Sequence, residues 1–273
     1  MDSVNAPILS FVVLDYKEEH LLRLNIERLL SLRLAEHGIP FEIIIVDNRS
    51  SEDFSSKMRR LYPQAHVVYN GKNLGHPAGN NRGLALASGT YIVMINPDLV
   101  VTQVDDLRRI VAYMDAHPDV GILGPKLYNP DGTIQMSCYR KYSRFTPIFR
   151  RTFLGKFFFA KKDIARHLML DDDHSQTKDV EWLLGACFVI RRSAMETVGM
   201  MDEDFFLYFG DYDWCDRMHD HGYRTVYFAE TSGIIHYHKR ESASSKFSLM
   251  QVLSPVTRIH LKDWMTYVRK HSD

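Results

Sequence analysis

The chain lacks most features that would tie it to a special environment. Cysteine is scarce: Cys138, Cys187 and Cys215 are the only three in 273 residues, far apart and in no Cys-x-x-Cys pair. That spacing argues against a disulfide framework or a structural zinc site and leaves reduced thiols. No stretch approaches the roughly 18 consecutive apolar residues of a membrane-spanning helix. Met1 to Pro7 has no basic segment leading into an apolar run, so no signal peptide is expected. Neither charge dominates, since 34 Lys and Arg balance 34 Asp and Glu. Nucleic acid is therefore not expected as a partner. There is no internal repeat and no low-complexity tract. What remains is a cytoplasmic globular chain of one large or two small domains, long enough for a sizeable core.

Its first hundred residues alternate strand and helix signals. Ile8 to Leu14 is a continuous apolar run, as in a strand buried on both faces. Glu19 to Leu34 has apolar residues at helical spacing and stops before Gly38-Ile39-Pro40. Strands are expected at Phe41 to Val46, Ala65 to Tyr69 and Tyr91 to Ile95, with helices at Ser55 to Tyr62 and Gly79 to Ala87. Such alternation predicts βαβ units, with parallel strands and helices on both faces. Ligands of such sheets bind beyond the carboxyl ends of the strands. Asp47 and Asp98 both follow a strand there and could face one crevice.

Past residue 120 the pattern loosens. Strands are expected at Gly121 to Leu127, Thr133 to Cys138, Trp182 to Arg191, Thr225 to Phe228 and Gly233 to His236. Helices are expected from Tyr212 onward and over Phe247 to Arg269. Between them, Tyr139 to Leu168 holds nine Lys and Arg and six Phe among one acid, Asp163. Basic residues mixed with large apolar ones suit an anionic membrane surface, and equally a solvated flap with one core-facing side.

Several polar residues could carry chemistry. Asp98, beside the turn formers Asn96 and Pro97, can point a carboxylate at a hard divalent cation that bridges to phosphate; it would serve equally as a turn cap. Asp47 suits a contact to a base or ribose, or a cap for the next helix. The segment Asn73 to Gly83, with Asn80 and Arg82, is rich in amides and glycine and only loosely resembles a phosphate-cradling loop. Asp211 and Asp213 follow the aromatic run Phe205 to Phe209. A carboxylate against aromatic walls loses solvation and gains basicity, which suits a general base. Acids also stabilise a helix N-terminus, and Asp213 fits that simpler role better. His236 or His238 could join a metal shell or a phosphate, or be a hydrogen-bonded core histidine.

These segments, in this order, resemble the family 2 glycosyltransferases over about Ile8 to Ser245. The nearest likeness is to bacterial rhamnosyltransferases of polysaccharide assembly. It is carried by Arg150-Arg151-Thr152-Phe153-Leu154-Gly155-Lys156, Val180-Glu181-Trp182-Leu183-Leu184-Gly185-Ala186-Cys187 and Phe205-Phe206-Leu207-Tyr208-Phe209. The resemblance implies a GT-A fold, an α/β Rossmann-like mixed sheet flanked by helices. Residues 1–120 would bind the nucleotide, 121–245 the acceptor, and 246–273 would form a helical extension. It implies an inverting, metal-dependent transfer of a sugar from dTDP-rhamnose, or from a UDP-hexose as runner-up, to a glycan or lipid-linked acceptor in cell-envelope polysaccharide synthesis. Residues 139–168 would give peripheral contact with the inner membrane face.

Residue by residue, it implies Asp47, Asn73, Asn80, Arg82 and Asn96 at the donor and nucleotide. Asp98 and His236 would hold Mn2+ or Mg2+, and Asp211 would be the catalytic base. Trp182, Gly185 and Asp213 would line the sugar and acceptor pocket. Two positions depart from the family pattern. Gly210 stands where a Glu is usual before the base, and His76-Pro77 stands where an aromatic residue often follows Asn-x-Gly. The first departure also raises a non-catalytic nucleotide- or glycan-binding homologue as an alternative. A nucleotidyltransferase would carry a Gly-rich, Lys-bearing loop after the first strand, where this chain has Asp15-Tyr16-Lys17-Glu18-Glu19.

Overall fold

The computed structural model describes residues 6–49, 52–143, 145–151, 153–237 and 255–271. The first half follows the alternation of its sequence: β1 (Leu9–Asp15), α1 (Glu19–Ser31), β2 (Phe41–Asp47), α2 (Glu52–Leu61), β3 (His66–Tyr69), α3 (His76–Leu84), β4 (Tyr91–Ile95), β5 (Leu99–Val101) and α4 (Val104–Ala116). The second half holds β6 (Val120–Pro125), β7 (Leu127–Tyr128), β8 (Ile134–Gln135), β9 (Cys138–Tyr139), α5 (Thr146–Arg151), α6 (Phe158–His167), β10 (Lys178–Asp179), β11 (Trp182–Leu183), β12 (Cys187–Arg191), α7 (Arg192–Val198), α8 (Gly210–Asp220), β13 (Arg224–Phe228), β14 (Ile234–His236) and α9 (Pro255–Lys270).

Eight strands form the main sheet in the order β10-β13-β6-β12-β4-β1-β2-β3. The expected parallel pairing holds from β4 through β3, and β13 is parallel to β6. β12 is antiparallel to both β4 and β6, so the sheet is mixed. Successive side chains of a strand point to opposite faces. Accordingly Phe11 and Val13 pack with α1, α2 and α4 on one face, and Val12 packs with α3, α7 and α8 on the other. Cys138, Cys187 and Cys215 are buried free thiols.

Several elements differ from expectation, among them Thr133 to Cys138, where β8 pairs with β7 and β9 with β11 in separate sheets. The apolar run Trp182 to Arg191 is two strands: β11 pairs with β9 in a separate ribbon, and β12 joins the main sheet. The break at Leu184-Gly185-Ala186 is fixed by Leu184 N–H on the Ser137 carbonyl (2.8 Å) and Asn96 N–H on the Ala186 carbonyl (2.9 Å). α3 begins at His76 rather than Gly79, because Pro77 suits a first helical turn, where its missing N–H costs no hydrogen bond. The basic-aromatic stretch contains two short helices, α5 and α6. The closing helix runs over Pro255–Lys270. The expected part before it, and His238, lie outside the described residues.

Candidate active site

At the carboxyl ends of β1, β2 and β4 lies a cavity of about 450 Å³. Asn48, Asn73, His76, Asn96 and Asp98 line it, together with Phe206 and Ile259 from distant parts of the chain. The amides form one network. Asn48 donates to the Asn73 side-chain oxygen and the Gly75 carbonyl, both at 3.0 Å. Its own oxygen accepts from Asn70 (3.1 Å) and from Leu74 N–H (2.9 Å). Asn96, Pro97, Asp98 and Leu99 form a tight turn, with Leu99 N–H on the Asn96 carbonyl (3.2 Å). Buried Asn25 of α1 caps this turn from beneath, donating to the Asn96 and Leu99 carbonyls.

The turn aims Asp98 at His236. β14 pairs antiparallel with β5, and Tyr237 N–H donates to the Asp98 carbonyl (2.7 Å). The His236 Nε2 is 3.2 Å from Asp98 Oδ1, and its Nδ1 is 2.9 Å from Gln135 Oε1. His236 thus meets Asp98 directly in a His–Asp hydrogen bond, and an oxygen that fixes the other ring nitrogen, here that of Gln135, is the usual outer-shell support of a metal-binding imidazole. Two ligands of one octahedral ion, each at about 2.1 Å, stand roughly 3 Å apart. The pair therefore fits a divalent ion. Among the described residues no group of three or more His, Cys, Asp and Glu could hold a metal.

The other residues expected at the donor are placed less directly. Asp47 is fully buried at the end of β2, and its oxygens accept from Arg49 N–H (2.9 Å) and the Ser55 hydroxyl (2.6 Å). Neither Asp47 nor Asn80 nor Arg82 lines the cavity. Asn80 is buried and donates to the His76 carbonyl (3.0 Å), while Arg82 is on the exposed face of α3. Beside Asp47, buried Asp15 holds Arg49 (2.8 Å), whose guanidinium lies 3.9 Å from the centre of the Phe54 ring. Burial raises the Asp15 pKa above the ordinary carboxylate value, against the pull of Arg49. His76 shares a hydrogen bond with Asn96, but burial pushes its pKa down to about 4, so it is neutral at pH 7.

Asp211 stands in the first turn of α8. Its Oδ2 accepts from Gly185 N–H (3.1 Å) and its Oδ1 from Tyr212 N–H (3.0 Å). Burial raises its pKa above the carboxylate norm, and those amides only partly offset the loss of water. The result is a more basic carboxylate that keeps a fixed orientation. Beside it Trp182 stacks on Tyr139 (ring centres 4.4 Å apart) and donates to the Arg140 carbonyl (3.2 Å). Tyr142 touches both Trp182 and Tyr212. Asp213 is engaged elsewhere: it holds Arg217 (2.8 Å) and His271 (3.0 Å), which ties α8 to the C-terminal helix.

The two family departures prove to be one feature. A side chain at Gly210 would start 2.6 Å from the Pro77 ring, so Pro77 occupies the space a residue-210 side chain would need. A third element holds this corner together. Asp263 of α9, fully buried, accepts the N–H groups of Phe206 (3.2 Å), Leu207 (2.9 Å) and Tyr208 (2.8 Å). The Phe206 carbonyl in turn accepts His76 N–H (2.7 Å). Gly75, at φ 87°, passes so close to that carbonyl that no side chain fits. Sequence reading missed Asn25, Arg49 and Asp263. Asp263 carried no local signal, because its three partners lie over fifty positions away.

The sequence profile described as "Glycosyl transferase family 2" matches residues 10–199. An N-acetylglucosaminyl-diphospho-decaprenol L-rhamnosyltransferase of Mycobacterium tuberculosis is 26% identical over 251 residues, covering 88% of this chain and 80% of the relative. The low-salt glycan biosynthesis hexosyltransferase Agl10 of Haloferax volcanii is 25% identical over 216 residues, 77% of this chain and 61% of that protein. Among solved structures, the mannosyltransferase PcManGT of Pyrobaculum calidifontis, in complex with GDP-Man and Mn2+, superposes with a TM-score of 0.55 at 18% identity, covering 86% of this chain and 58% of its own. GalNAc-T7 with UDP, GalNAc and Mn2+ gives 0.61 at 13% identity, covering 91% and 47%. The chain spans about half the length of these two solved proteins. At such identities they establish the fold alone, which is the GT-A fold.

Proposed function

The chain belongs to glycosyl transferase family 2, and from that premise we propose that it transfers a sugar, with inversion, from a nucleoside diphosphate sugar to a glycan or lipid-linked acceptor. The observation that carries this reading is the contact of His236 with Asp98, which lines the cavity together with the amides of Asn48, Asn73 and Asn96. In it Asn48, Asn73 and Asn96 contact the nucleotide and its phosphates, with Asp47 shaping the strand end beneath. Mn2+ or Mg2+, held by Asp98 and His236, would supply positive charge to the departing diphosphate. Asp211 takes the proton of the acceptor hydroxyl. The freed oxygen attacks the anomeric carbon as the bond to the diphosphate breaks, and that bonding pair leaves with the nucleotide. The Gly185 amide holds Asp211 in position, while the Trp182 ring, expected in the sugar pocket, is buried among Tyr139, Tyr142 and Tyr212 and backs this wall from behind.

The donor is dTDP-rhamnose, by likeness to the mycobacterial rhamnosyltransferase, with a UDP-hexose as runner-up. That relative is named for a lipid-linked substrate, which supports peripheral contact at the inner membrane face through residues 139–168. Among the described residues no helix is long and apolar enough to cross a membrane. Gly210 favours a second reading, a non-catalytic homologue. The Pro77 ring in its place argues against simple loss of a site wall.

A thermal-shift screen of nucleotide sugars with and without Mn2+ tests the proposal. Larger stabilisation by dTDP-rhamnose than by UDP-sugars supports the rhamnosyl donor, and the reverse order supports the runner-up. No shift with any nucleoside diphosphate contradicts the transferase reading. Tight binding without release of nucleoside diphosphate from any donor favours the non-catalytic homologue.

A further inference from the structure

A second groove, of about 490 Å³, opens between the start of the basic-aromatic stretch and the C-terminal helix. Tyr142, Phe209, Tyr212, Trp264, Tyr267 and Val268 are among its walls. Its volume is within the usual range for a small-molecule site, about 300–1,000 Å³. Its inner end adjoins the proposed acceptor platform: Tyr212 directly follows Asp211, and Tyr142 contacts both Tyr212 (5.2 Å) and Trp182 (5.5 Å).

The outer end leads onto exposed rings. Phe145 lines the groove and is 55% exposed. From it a chain of ring contacts runs through Phe149, Phe159, Phe157 and Phe153, with successive centres 5.6–6.5 Å apart. Phe158 beside them is 84% exposed. Apolar surface left in water on this scale marks a site of contact. Charge singles out the contact. The chain as a whole is neutral, yet residues 139–168 hold nine Lys and Arg against Asp163 alone; of these bases, Arg140, Lys141 and Arg166 are paired with acids. Arg150 is exposed at the groove's edge, with Nη1 3.3 Å from the Tyr142 hydroxyl. No acid pairs with it among the described residues.

We infer that this groove seats the isoprenoid chain of a diphosphate-linked acceptor, with Arg150 facing the diphosphate and the phenylalanine chain continuing toward the lipid surface. An apolar trough with a cationic edge matches such a molecule, which is anionic at one end and hydrocarbon beyond. The inference rests on the transferase reading. It adds where the acceptor's lipid lies, on surfaces made by the two ends of the second half of the chain.

Tryptophan fluorescence of the full chain, titrated with farnesyl diphosphate below its aggregation concentration, tests it. The chain has three tryptophans, and Trp264 alone of them lines this groove. The expected result is a saturable change that disappears in Trp264→Phe. Affinity should fall at least about tenfold in Val268→Glu and in Arg150→Gln. Val268 is exposed, so Val268→Glu should keep the native melting temperature; Arg150 also meets the buried His167 ring (3.2 Å), so Arg150→Gln should lower the melting temperature modestly while binding of dTDP is kept. Inorganic diphosphate alone should produce no change. The inference is overturned if no saturable change occurs, if Val268→Glu leaves it intact, or if dTDP competes it away and so places it in the donor cavity. Binding of dTDP with Mn2+ is measured on the same sample. Nucleotide binding without farnesyl diphosphate binding removes the groove assignment only, and absence of both removes the transferase reading with it.

Discussion

On the proposed donor side, Asn48, Asn73, Asn96 and Asp98 stand at neighbouring strand ends and are held by hydrogen bonds among their loops and to Asn25, Ala186 and His236. On the acceptor side, Asp211 stands beside rings brought together from β9, β11, α8 and the loop after β9, and its corner is closed by α9. Strand ends of the parallel sheet deliver most of the donor-side residues to one edge, and His236, Phe206 and Ile259 are added to them from distant segments. The acceptor side exists only if remote segments dock correctly. Changes on the acceptor side should therefore spread through packing, whereas changes on the donor side should stay local.

The largest expected effect separates chemistry from binding. Asp211→Asn should lower the transfer rate by about 10²–10⁴-fold, the usual worth of a general base. Donor affinity should stay near the native value, as judged by KM against kcat. Because burial raises the Asp211 pKa, the acid limb of the native rate profile should lie above the ordinary carboxylate range, activity being lost as pH falls through it. A limb at the ordinary value would deny Asp211 the part of base.

Next comes Asp263→Ala, which leaves three buried amides without an acceptor. Each such loss costs about 1–3 kcal/mol. Urea unfolding should therefore show a loss of about 3 kcal/mol or more. Donor KM should rise too, since Phe206 and His76 shift together. An unchanged donor KM would confine Asp263 to stability.

A smaller effect probes the Pro77–Gly210 contact. Gly210→Ala should cost about 1–3 kcal/mol through overpacking. Pro77→Ala should recover much of that in the double variant. Simple additivity, measured by a double-mutant cycle, would show that the two positions are uncoupled.

The smallest effect concerns pH. His167 is buried, donating from Nδ1 to the Arg140 carbonyl (2.8 Å) with Arg150 at Nε2 (3.2 Å), and burial lowers its pKa to about 4. The unfolded chain takes up a proton near 6.5 and the folded chain does not. Stability should thus fall as pH drops from about 6.5 to 4, by at most about 1.4 kcal/mol at pH 5.5. His167→Gln should flatten that slope.

The difference between the sides also explains what the sequence revealed. The runs that became β1, β2 and β4 announce themselves by apolar composition, so Asp98 and the amide loop could be placed at strand ends. The parallel order and α1 followed from the same signal. The antiparallel insertion of β12 did not, because the apolar run Trp182 to Arg191 conceals a break made by hydrogen bonds to Ser137 and Asn96. Asp47 and Asp213 are expected at the site by the family resemblance, their local sequence fitting helix caps as well, and both have oxygens engaged by structural partners. Asp263 reads as one acid on an amphipathic helix, and only tertiary contact shows its three amides.

The most direct test of the central claim is calorimetric titration of dTDP, with and without Mn2+, into the native chain, Asp98→Asn and Asp211→Asn. Native and Asp211→Asn proteins should bind alike in Mn2+ and lose binding when the metal is chelated, while Asp98→Asn binds at least about tenfold more weakly. Equal affinity without metal, or native affinity in Asp98→Asn, would contradict the assignment of Asp98 as the residue that joins metal to nucleotide.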